Sequence, residues 1–109
     1  MLIDFNSMEE TVIPNFLGGE GEIRAKMFVD DRNRILHGVL EPGCSIGFHT
    51  HETSSEIIYI LSGTGVVKVE DGEEPVKAGE CHYCSKGRSH ALINNSGGLL
   101  EFFAVVPQQ

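Results

Sequence analysis

The chain alternates short β-rich runs with turn-forming residues, and this alternation is the feature that most constrains its fold. From Gly21 onward, runs rich in β-branched and aromatic residues are separated by breaks such as Glu41-Pro-Gly and Asn94-Asn-Ser-Gly-Gly. We predict strands over residues 23–29, 35–40, 45–51, 56–61, 65–70, 80–85, 90–94 and 99–106. Strands at this spacing form a sandwich or a barrel. The sequence therefore predicts an all-β domain.

One turn signal also fixes a strand pairing. The dipeptide Asp71-Gly72 lies between Val66-Val-Lys-Val69 and Pro75-Val-Lys77, and Asp-Gly is typical of a two-residue β-hairpin loop. The two flanking runs should therefore be antiparallel neighbours.

Residues 1–20 carry few strand signals and are predicted to form an arm. The segment Ser7-Met-Glu-Glu10 resembles a helix capping box, but Pro14 and the glycines after it allow at most one turn. The length of 109 residues suits one hydrophobic core, and no linker or repeat divides the chain. We expect a single domain over residues 1–109, with an N-terminal arm over 1–20 and a β-barrel over 21–109.

The net charge of the chain argues against two classes of binding partner. Eight basic and sixteen acidic side chains give a formal charge of −8, which repels nucleic acids and anionic membrane surfaces. No apolar run approaches the ~18 residues of a membrane span, and the first residues lack the pattern of a signal peptide. We expect a cytoplasmic protein with no nucleic-acid or membrane partner.

The three cysteines do not indicate a disulfide framework, because the count is odd. Cys81-His-Tyr-Cys84 matches the Cys-x-x-Cys pattern, but it lies in a strand-like run. Residues three apart on a strand face opposite ways, so this pair is poorly placed to bridge or to bind zinc. We expect free thiols, and we interpret His82 between them as an ordinary strand histidine.

Two histidines in the first half have the spacing of metal ligands. Side chains two apart on a strand project from one face, with Cα atoms ~6.6–6.8 Å apart, so His49 and His51 can bind one cation. Glu56 would face away on an unbroken strand, but Glu52-Thr-Ser-Ser55 is turn-prone and a reversal there returns Glu56 to the histidines. His90, which follows a glycine-bounded turn at the head of a later strand, is the predicted fourth ligand.

These residues fall in two spaced motifs that resemble those of the cupins. The first motif is matched at every defining position, namely Gly43, His49, His51, Glu56 and Gly63. The second is carried by Gly79, Gly87, His90 and Asn94. It departs from the usual pattern at Ser85, where proline is common. The chain is similar to small single-domain cupins with a cupin 2 type conserved barrel, and distantly similar to germin and oxalate decarboxylase barrels.

The resemblance implies a double-stranded β-helix, the cupin jelly-roll barrel, which holds one divalent metal on the three histidines and the glutamate. Nitrogen-rich ligation with one carboxylate suits manganese, iron, cobalt, nickel or zinc better than calcium or magnesium. Four protein ligands on an octahedral ion leave two adjacent positions for a chelating carboxylate, keto acid or enediol. A homodimer is also expected, from the apolar last strand and from the resemblance.

The sequence does not identify an acid–base partner for catalysis. Weak candidates are His37, Tyr83, Arg24 and Lys26, of which the last two share a strand face and could bind a carboxylate. Taken singly, each of them is more simply read as a solvated or ordinary strand residue. Ile58 and Ile60 share the strand parity of Glu56 and should form an apolar wall.

Three functions fit these observations. The first is a small metal-dependent enzyme of the dioxygenase, decarboxylase, isomerase or lyase class. The second is a non-catalytic module that binds a small molecule or a sugar. The third is a barrel in which the metal is mainly structural. Metal content, substrate turnover and the thermal stability of the metal-free protein would separate them.

Overall fold

Ten strands and two short 3₁₀ turns make up the protein in the computed structural model, which describes residues 1–109. The strands are β1 Thr11–Pro14, β2 Glu22–Val29, β3 Asn33–Leu40, β4 Ser45–Thr50, β5 Glu56–Ser62, β6 Thr64–Val69, β7 Gly72–Lys77, β8 Cys81–Cys84, β9 Ser89–Ile93 and β10 Leu100–Pro107. The turns span Phe5–Ser7 and Phe16–Gly18. None of the helical segments has the length or the apolar character needed to cross a bilayer. The predicted all-β class is confirmed.

The strands form two antiparallel sheets. One has six strands in the order β1-β2-β3-β10-β5-β8, and the other has four in the order β4-β9-β6-β7. Consecutive strands therefore change sheet six times, at β3–β4, β4–β5, β5–β6, β7–β8, β8–β9 and β9–β10, as a jelly-roll barrel requires.

The hydrophobic core lies between the two sheets and follows from the two-residue period of a strand. On β10 the side chains of Leu100, Phe102, Ala104 and Val106 point inward and are buried. Those of Glu101, Phe103 and Val105 lie on the outer side. A similar alternation occurs on β5 and β8, whereas β4, β6 and β9 each bury three or more consecutive residues. The core residues are Ile23, Ala25, Leu36, Leu40, Ile46, Ile58, Ile60, Val67, Val76, Leu92, Leu100, Phe102 and Ala104.

The predicted hairpin is present, since β6 pairs with β7 and Val69 lies opposite Gly72. β7 begins at Gly72, three residues before the apolar run that indicated it, because its first residues are polar and exposed.

The segment before Gly21 contains a strand that the sequence did not predict. β1 pairs antiparallel with β2, from Thr11 opposite Ala25 to Pro14 opposite Glu22. Pro14 is tolerated because β1 is an edge strand, where a missing N–H donor leaves no ladder bond unmade. No helix follows Ser7; the 3₁₀ turn over Phe5–Ser7 is capped by Asp4 instead. The division into an arm and a barrel at residue 20 stays a prediction.

The chain after β1 packs tightly against β4. A Cβ atom at Gly19 would collide with the Ser45 carbonyl, and one at Gly47 would collide with the Leu17 carbonyl. The Ser45 amide donates to the Glu20 carbonyl at 2.9 Å, and the Glu20 amide donates to Ser45 Oγ at 2.9 Å. This close approach fixes the 3₁₀ turn over Phe16–Gly18 beside β4, at one mouth of the barrel.

Candidate metal centre

Three histidines and one glutamate meet inside the barrel. His49 lies on β4 and His90 lies directly opposite it on β9. His51 follows the end of β4, and Glu56 is the first residue of β5, so the chain reverses between them as the turn-prone sequence indicated. The backbone N–H of His51 donates to the Arg88 carbonyl at 3.0 Å, which holds this reversal against β9. All four predicted ligands are therefore brought together.

The side-chain atoms that face one another lie close around a common point. The Nε2 atoms of the three histidines are 3.0–3.2 Å apart. Glu56 Oε1 lies 2.8 Å from His90 Nε2, 3.0 Å from His51 Nε2 and 3.8 Å from His49 Nε2. The four potential ligand atoms fall within 4.8 Å of one another, a spacing that could hold a metal ion.

The partners of the Nδ1 atoms constrain the tautomers of the cluster. His49 Nδ1 lies 2.7 Å from the Gly47 carbonyl, which can only accept, so this nitrogen carries the proton. His51 Nδ1 lies 2.9 Å from Ser54 Oγ, a hydroxyl that can either accept from this nitrogen or donate to it. In a neutral imidazole with a protonated Nδ1, the Nε2 atom presents a lone pair. These lone pairs point to the centre of the cluster.

His82 and Glu74 together orient His90, the third histidine of the cluster. His82 Nδ1 lies 2.8 Å from Glu74 Oε1, and His82 Nε2 lies 3.1 Å from His90 Nδ1. The carboxylate accepts from His82 Nδ1, so a neutral His82 has an acceptor at Nε2 and His90 Nδ1 donates to it. Partners of this kind orient metal-binding histidines in proteins. The buried His82 was interpreted from the sequence as an ordinary strand residue, because nothing local indicates that β8 lies behind His90.

The electrostatics of the cluster suit a cation. Burial alone would raise the pKa of Glu56, but its contacts with the three histidines lower that pKa well below its usual range, so the group is ionised. Burial lowers the pKa of His90. Burial also acts to lower the pKa of His49, but Glu56 and the Gly47 carbonyl outweigh it, and outweigh a smaller effect of the Arg34 charge, so the pKa is raised. Three imidazoles with one carboxylate and no thiolate fit a divalent transition metal.

A cavity of about 350 Å³ opens beside the cluster. His49, His51 and Glu56 form one part of its wall. The remaining wall is mixed: its apolar part includes Phe16, Leu17, Leu36, Ile46, Phe102 and Val106, and polar and charged side chains complete it. The volume lies near the lower end of the ~300–1,000 Å³ range of small-molecule pockets. A small ligand can therefore reach the cluster from this side.

Arg34 also lines this cavity, and the sequence analysis missed it. It lies on β3 two residues before the buried Leu36, so strand parity directs it to the inner face. Its cross-strand neighbour Val106 is buried on that face as well. The sequence of β3 gives no local signal of this, because apolar residues occur on both of its faces: Ile35 and Val39 on one, Leu36 and Leu40 on the other.

The four weak catalytic candidates lie elsewhere, since none of them lines the cavity beside the cluster. His37 Nε2 lies 2.8 Å from Glu101 Oε2 on the outer face of the six-stranded sheet. Lys26 pairs across the strands with His37, and Arg24 is 3.9 Å from Glu10. Tyr83 is 60% exposed on β8. Catalytic roles for these residues stay untested predictions, and their placement does not favour them.

The cysteine pair on β8 is split between two environments. Cys81 is exposed and Cys84 is buried, as the strand parity predicts, and all three cysteines are free thiols. Burial, with a smaller effect of the Glu56 charge, raises the pKa of the Cys84 thiol to about 11. A thiol of this kind is protonated at neutral pH and is therefore a poor nucleophile.

Comparison with known proteins agrees with this fold and this cluster. The sequence model of the family described as Cupin domain matches residues 36–106. An oxalate-binding protein of Thermotoga maritima is 34% identical over 112 residues, which cover 97% of this chain and 93% of that protein.

Solved structures resemble the whole chain. The crystal structure of a predicted oxalate decarboxylase from Thermotoga maritima has a TM-score of 0.93 at 32% identity, over 100% of both chains. A polyketide cyclase from Streptomyces resistomycificus has a TM-score of 0.82 at 22% identity, over 100% of this chain and 80% of that one, and this likeness concerns the fold alone. The expected barrel architecture is confirmed.

Proposed function

The chain belongs to the cupin family, and we propose that it binds one divalent transition metal and, through that metal, a small chelating carboxylate. The observation that carries this proposal is the convergence of three imidazole Nε2 atoms, 3.0–3.2 Å apart, on one ionised carboxylate at the wall of a cavity. We assign His49, His51, Glu56 and His90 as the ligands.

The metal is one of manganese, iron, cobalt, nickel or zinc, because the donor set is rich in nitrogen and lacks sulfur. When bound, such an ion supplies a Lewis acid with open positions for a chelating oxyanion. The residues of the chain hold the site in order: Gly47, Ser54 and His82 orient the imidazoles, and Leu36, Ile46 and Phe102 exclude water from one side of the cavity.

The proposed class of ligand rests on two relatives. The protein that shares 34% identity over nearly the full length is described as oxalate-binding, and the structure at 32% identity as a predicted oxalate decarboxylase. Oxalate is the smallest dicarboxylic acid and can chelate an ion with one oxygen from each carboxylate, so it is the first ligand to test.

Binding is favoured over catalysis because neither Asp30 nor Asp31, the acidic side chains that line the cavity besides Glu56, forms a hydrogen bond with the cluster. Ser54 is engaged by His51 at 2.9 Å, and Asp30 Oδ1 accepts the backbone N–H groups of Arg32 and Asn33 at 2.9 and 2.7 Å. Catalysis is the second candidate, as a decarboxylase, dioxygenase, isomerase or lyase, and the resemblance to a predicted oxalate decarboxylase is what favours it. A sugar is a less suitable ligand, because the relatives are described by a carboxylate.

The proposal is tested with protein purified without a histidine tag. We expect about one equivalent of metal by elemental analysis, and heat of oxalate binding in calorimetry only after loading with metal. Release of carbon dioxide from oxalate, or oxygen uptake with keto acids or diketones, would favour the enzyme. A protein that takes up none of the five metals contradicts the proposal, and one that unfolds completely on metal removal favours a structural ion.

A homodimer is proposed from the outer face of β5 and β8. Ile57, Tyr59 and Leu61 on β5 are 39–43% exposed, and Tyr83 lies opposite Ile57 on β8. A contiguous apolar surface with tyrosines is typical of protein interfaces. A second copy of the chain is the proposed partner, because in a symmetric dimer this apolar face would pack against the same face of the other copy.

A cytoplasmic location is proposed from the free thiols. Cys44, Cys81 and Cys84 are unpaired, which matches a reducing compartment.

A further inference from the structure

The cavity beside the metal cluster contains one cationic side chain without a partner. Arg34 points inward from β3, and its Nε atom is buried without a hydrogen-bond partner. No ion pair joins its guanidinium to a carboxylate; the carboxylates of Glu10, Glu70 and Glu56 pair with other residues. A buried donor left unpaired costs ~1–3 kcal/mol, a penalty that a ligand can relieve.

The nearest acidic residues of the cavity do not fill this role. Asp30 and Asp31 line the same cavity, but Asp30 Oδ1 is occupied by two backbone N–H groups of the turn that follows β2. Asp31 is exposed to solvent. The guanidinium therefore faces the cavity with its donors available.

A neutral donor lies close by on the last residues of the chain. Gln108 lines the cavity, and its Oε1 atom accepts from Thr53 Oγ1 at 3.0 Å. Its amide N–H₂ group is therefore left to donate elsewhere. A guanidinium with a neighbouring amide forms a set of donors that recognises a carboxylate.

The cavity has two charged parts that one ligand could contact, namely the metal cluster and Arg34. The guanidinium lines the same cavity as His49 and Glu56, and no ion pair joins it to Glu56, which contacts the histidines instead. Leu36, Phe102 and Val106 contribute apolar surface to the same cavity. A two-carbon diacid bound at the cluster would leave most of the 350 Å³ unfilled.

We propose that Arg34 forms an anion subsite separate from the metal ligands, and that the ligand of this protein is a diacid longer than oxalate. One carboxylate, or a 2-oxo carboxylate, chelates the metal; a short aliphatic spacer contacts Leu36 and Phe102; and the second carboxylate pairs with Arg34. This inference rests on the proposed binding of a carboxylate by the metal-loaded cluster, and it specifies the ligand class.

The test is calorimetry with manganese-loaded protein and acids of increasing length. Oxalate, malonate, succinate, glutarate and adipate are compared, and each of the last three is paired with its monoamide, which keeps the length and loses one charge. We expect at least one diacid to bind about 10- to 100-fold more tightly than its monoamide, as a charge-assisted pair implies. Arg34→Gln should reduce that ratio to about one, while metal content and oxalate affinity stay within about threefold of wild type.

Matched variants keep the test decisive. Arg24→Gln removes an arginine from the outer face and should leave the ratio unchanged, and Arg34→Lys should restore part of it. If Arg34→Gln does not fold, Arg34→Met, which keeps the aliphatic stem, replaces it. The inference is overturned if oxalate binds but no diacid exceeds its monoamide, or if Arg34→Gln keeps the preference. If no acid binds even to metal-loaded wild type, the proposed function fails, and this inference fails with it.

Discussion

The two faces of the six-stranded sheet each carry side chains of an unexpected polarity: a charged group on the buried inner face and apolar groups on the exposed outer face. On β5, the inner face carries Glu56 in line with the buried Ile58 and Ile60, so a charged group stands in the core. The outer face of the same strand carries Ile57, Tyr59 and Leu61, so apolar groups stand in solvent. Buried charge and exposed apolar surface are the two arrangements that folding alone does not favour. This difference supports the two proposals made above, a metal ion bound at the inner face and a second copy of the chain at the outer face.

The largest effect should come from removing a ligand on the inner face. His90→Ala leaves two imidazoles and a carboxylate, and we expect loss of stoichiometric metal, a larger effect than the ~10–100-fold typical of residues that only orient a ligand. The measurement is metal content after dialysis, with circular dichroism as the check on folding. His37→Ala is the matched control, because it removes a histidine of the outer face. Equal metal content in His90→Ala and His37→Ala would contradict the assignment of the metal site to the inner face.

A smaller effect is expected from the residue behind the cluster. His82→Phe keeps a ring of similar shape but cannot accept from His90 Nδ1, so metal affinity should fall about 10- to 100-fold. Competition with a chelator gives the dissociation constant, and His82→Gln should recover part of the loss. Glu73→Gln, an exposed neighbour of Glu74, serves as the control. An unchanged affinity in His82→Phe would mean that His82 only packs.

The outer face is tested by a charge that leaves the cavity untouched. Tyr59→Lys should convert a dimer to a monomer in light scattering at micromolar concentration, because a charge in an apolar interface is strongly disfavoured. Metal content should not change. Thr64→Lys on the four-stranded sheet is the control. A wild-type protein that is monomeric at high concentration would remove the proposed partner and leave the exposed tyrosines unexplained.

The smallest expected effect is a difference in reactivity between the thiols of Cys81 and Cys84, which lie on opposite faces of β8. With a pKa of about 11, the Cys84 thiol is ionised to about one part in a thousand at pH 8, and it is buried. Because burial raises this pKa, the thiolate appears only as the pH approaches that value. Iodoacetamide at pH 8 should therefore label Cys81 well before Cys84, and mass spectrometry of a variant that carries both Cys44→Ser and Cys81→Ser should show the slow site alone. Equal rates would contradict the split environment.

Strand parity explains which parts of the site could be predicted from the sequence. His49 and His51 are two apart on one strand, and the polar turn before Glu56 is local, so these positions follow from short-range pattern. The same rule was available for Arg24 and Lys26, whose neighbours Ile23 and Ala25 are buried and which therefore face outward. Those two residues were chosen for charge and spacing, without asking which face of the strand is inside.

Long-range pairing explains most of what was missed. Arg34 reaches the cavity because β3 lies beside β10, and His82 reaches His90 because β8 lies at the edge of the opposite sheet. Neither contact leaves a mark within a short window of sequence. β1 was missed for a different reason, since a four-residue edge strand that ends in Pro14 lacks a clear apolar alternation.

X-ray absorption of the zinc-loaded protein tests the central claim most directly, because it reports the atoms bound to the metal. The account predicts a shell of nitrogen and oxygen at ~2.0–2.1 Å with the outer-shell scattering of three imidazoles. That imidazole scattering should fall in His90→Ala and persist in His37→Ala. A sulfur shell at ~2.3 Å, which would move the metal to Cys81 and Cys84, or a spectrum without imidazole scattering would contradict it.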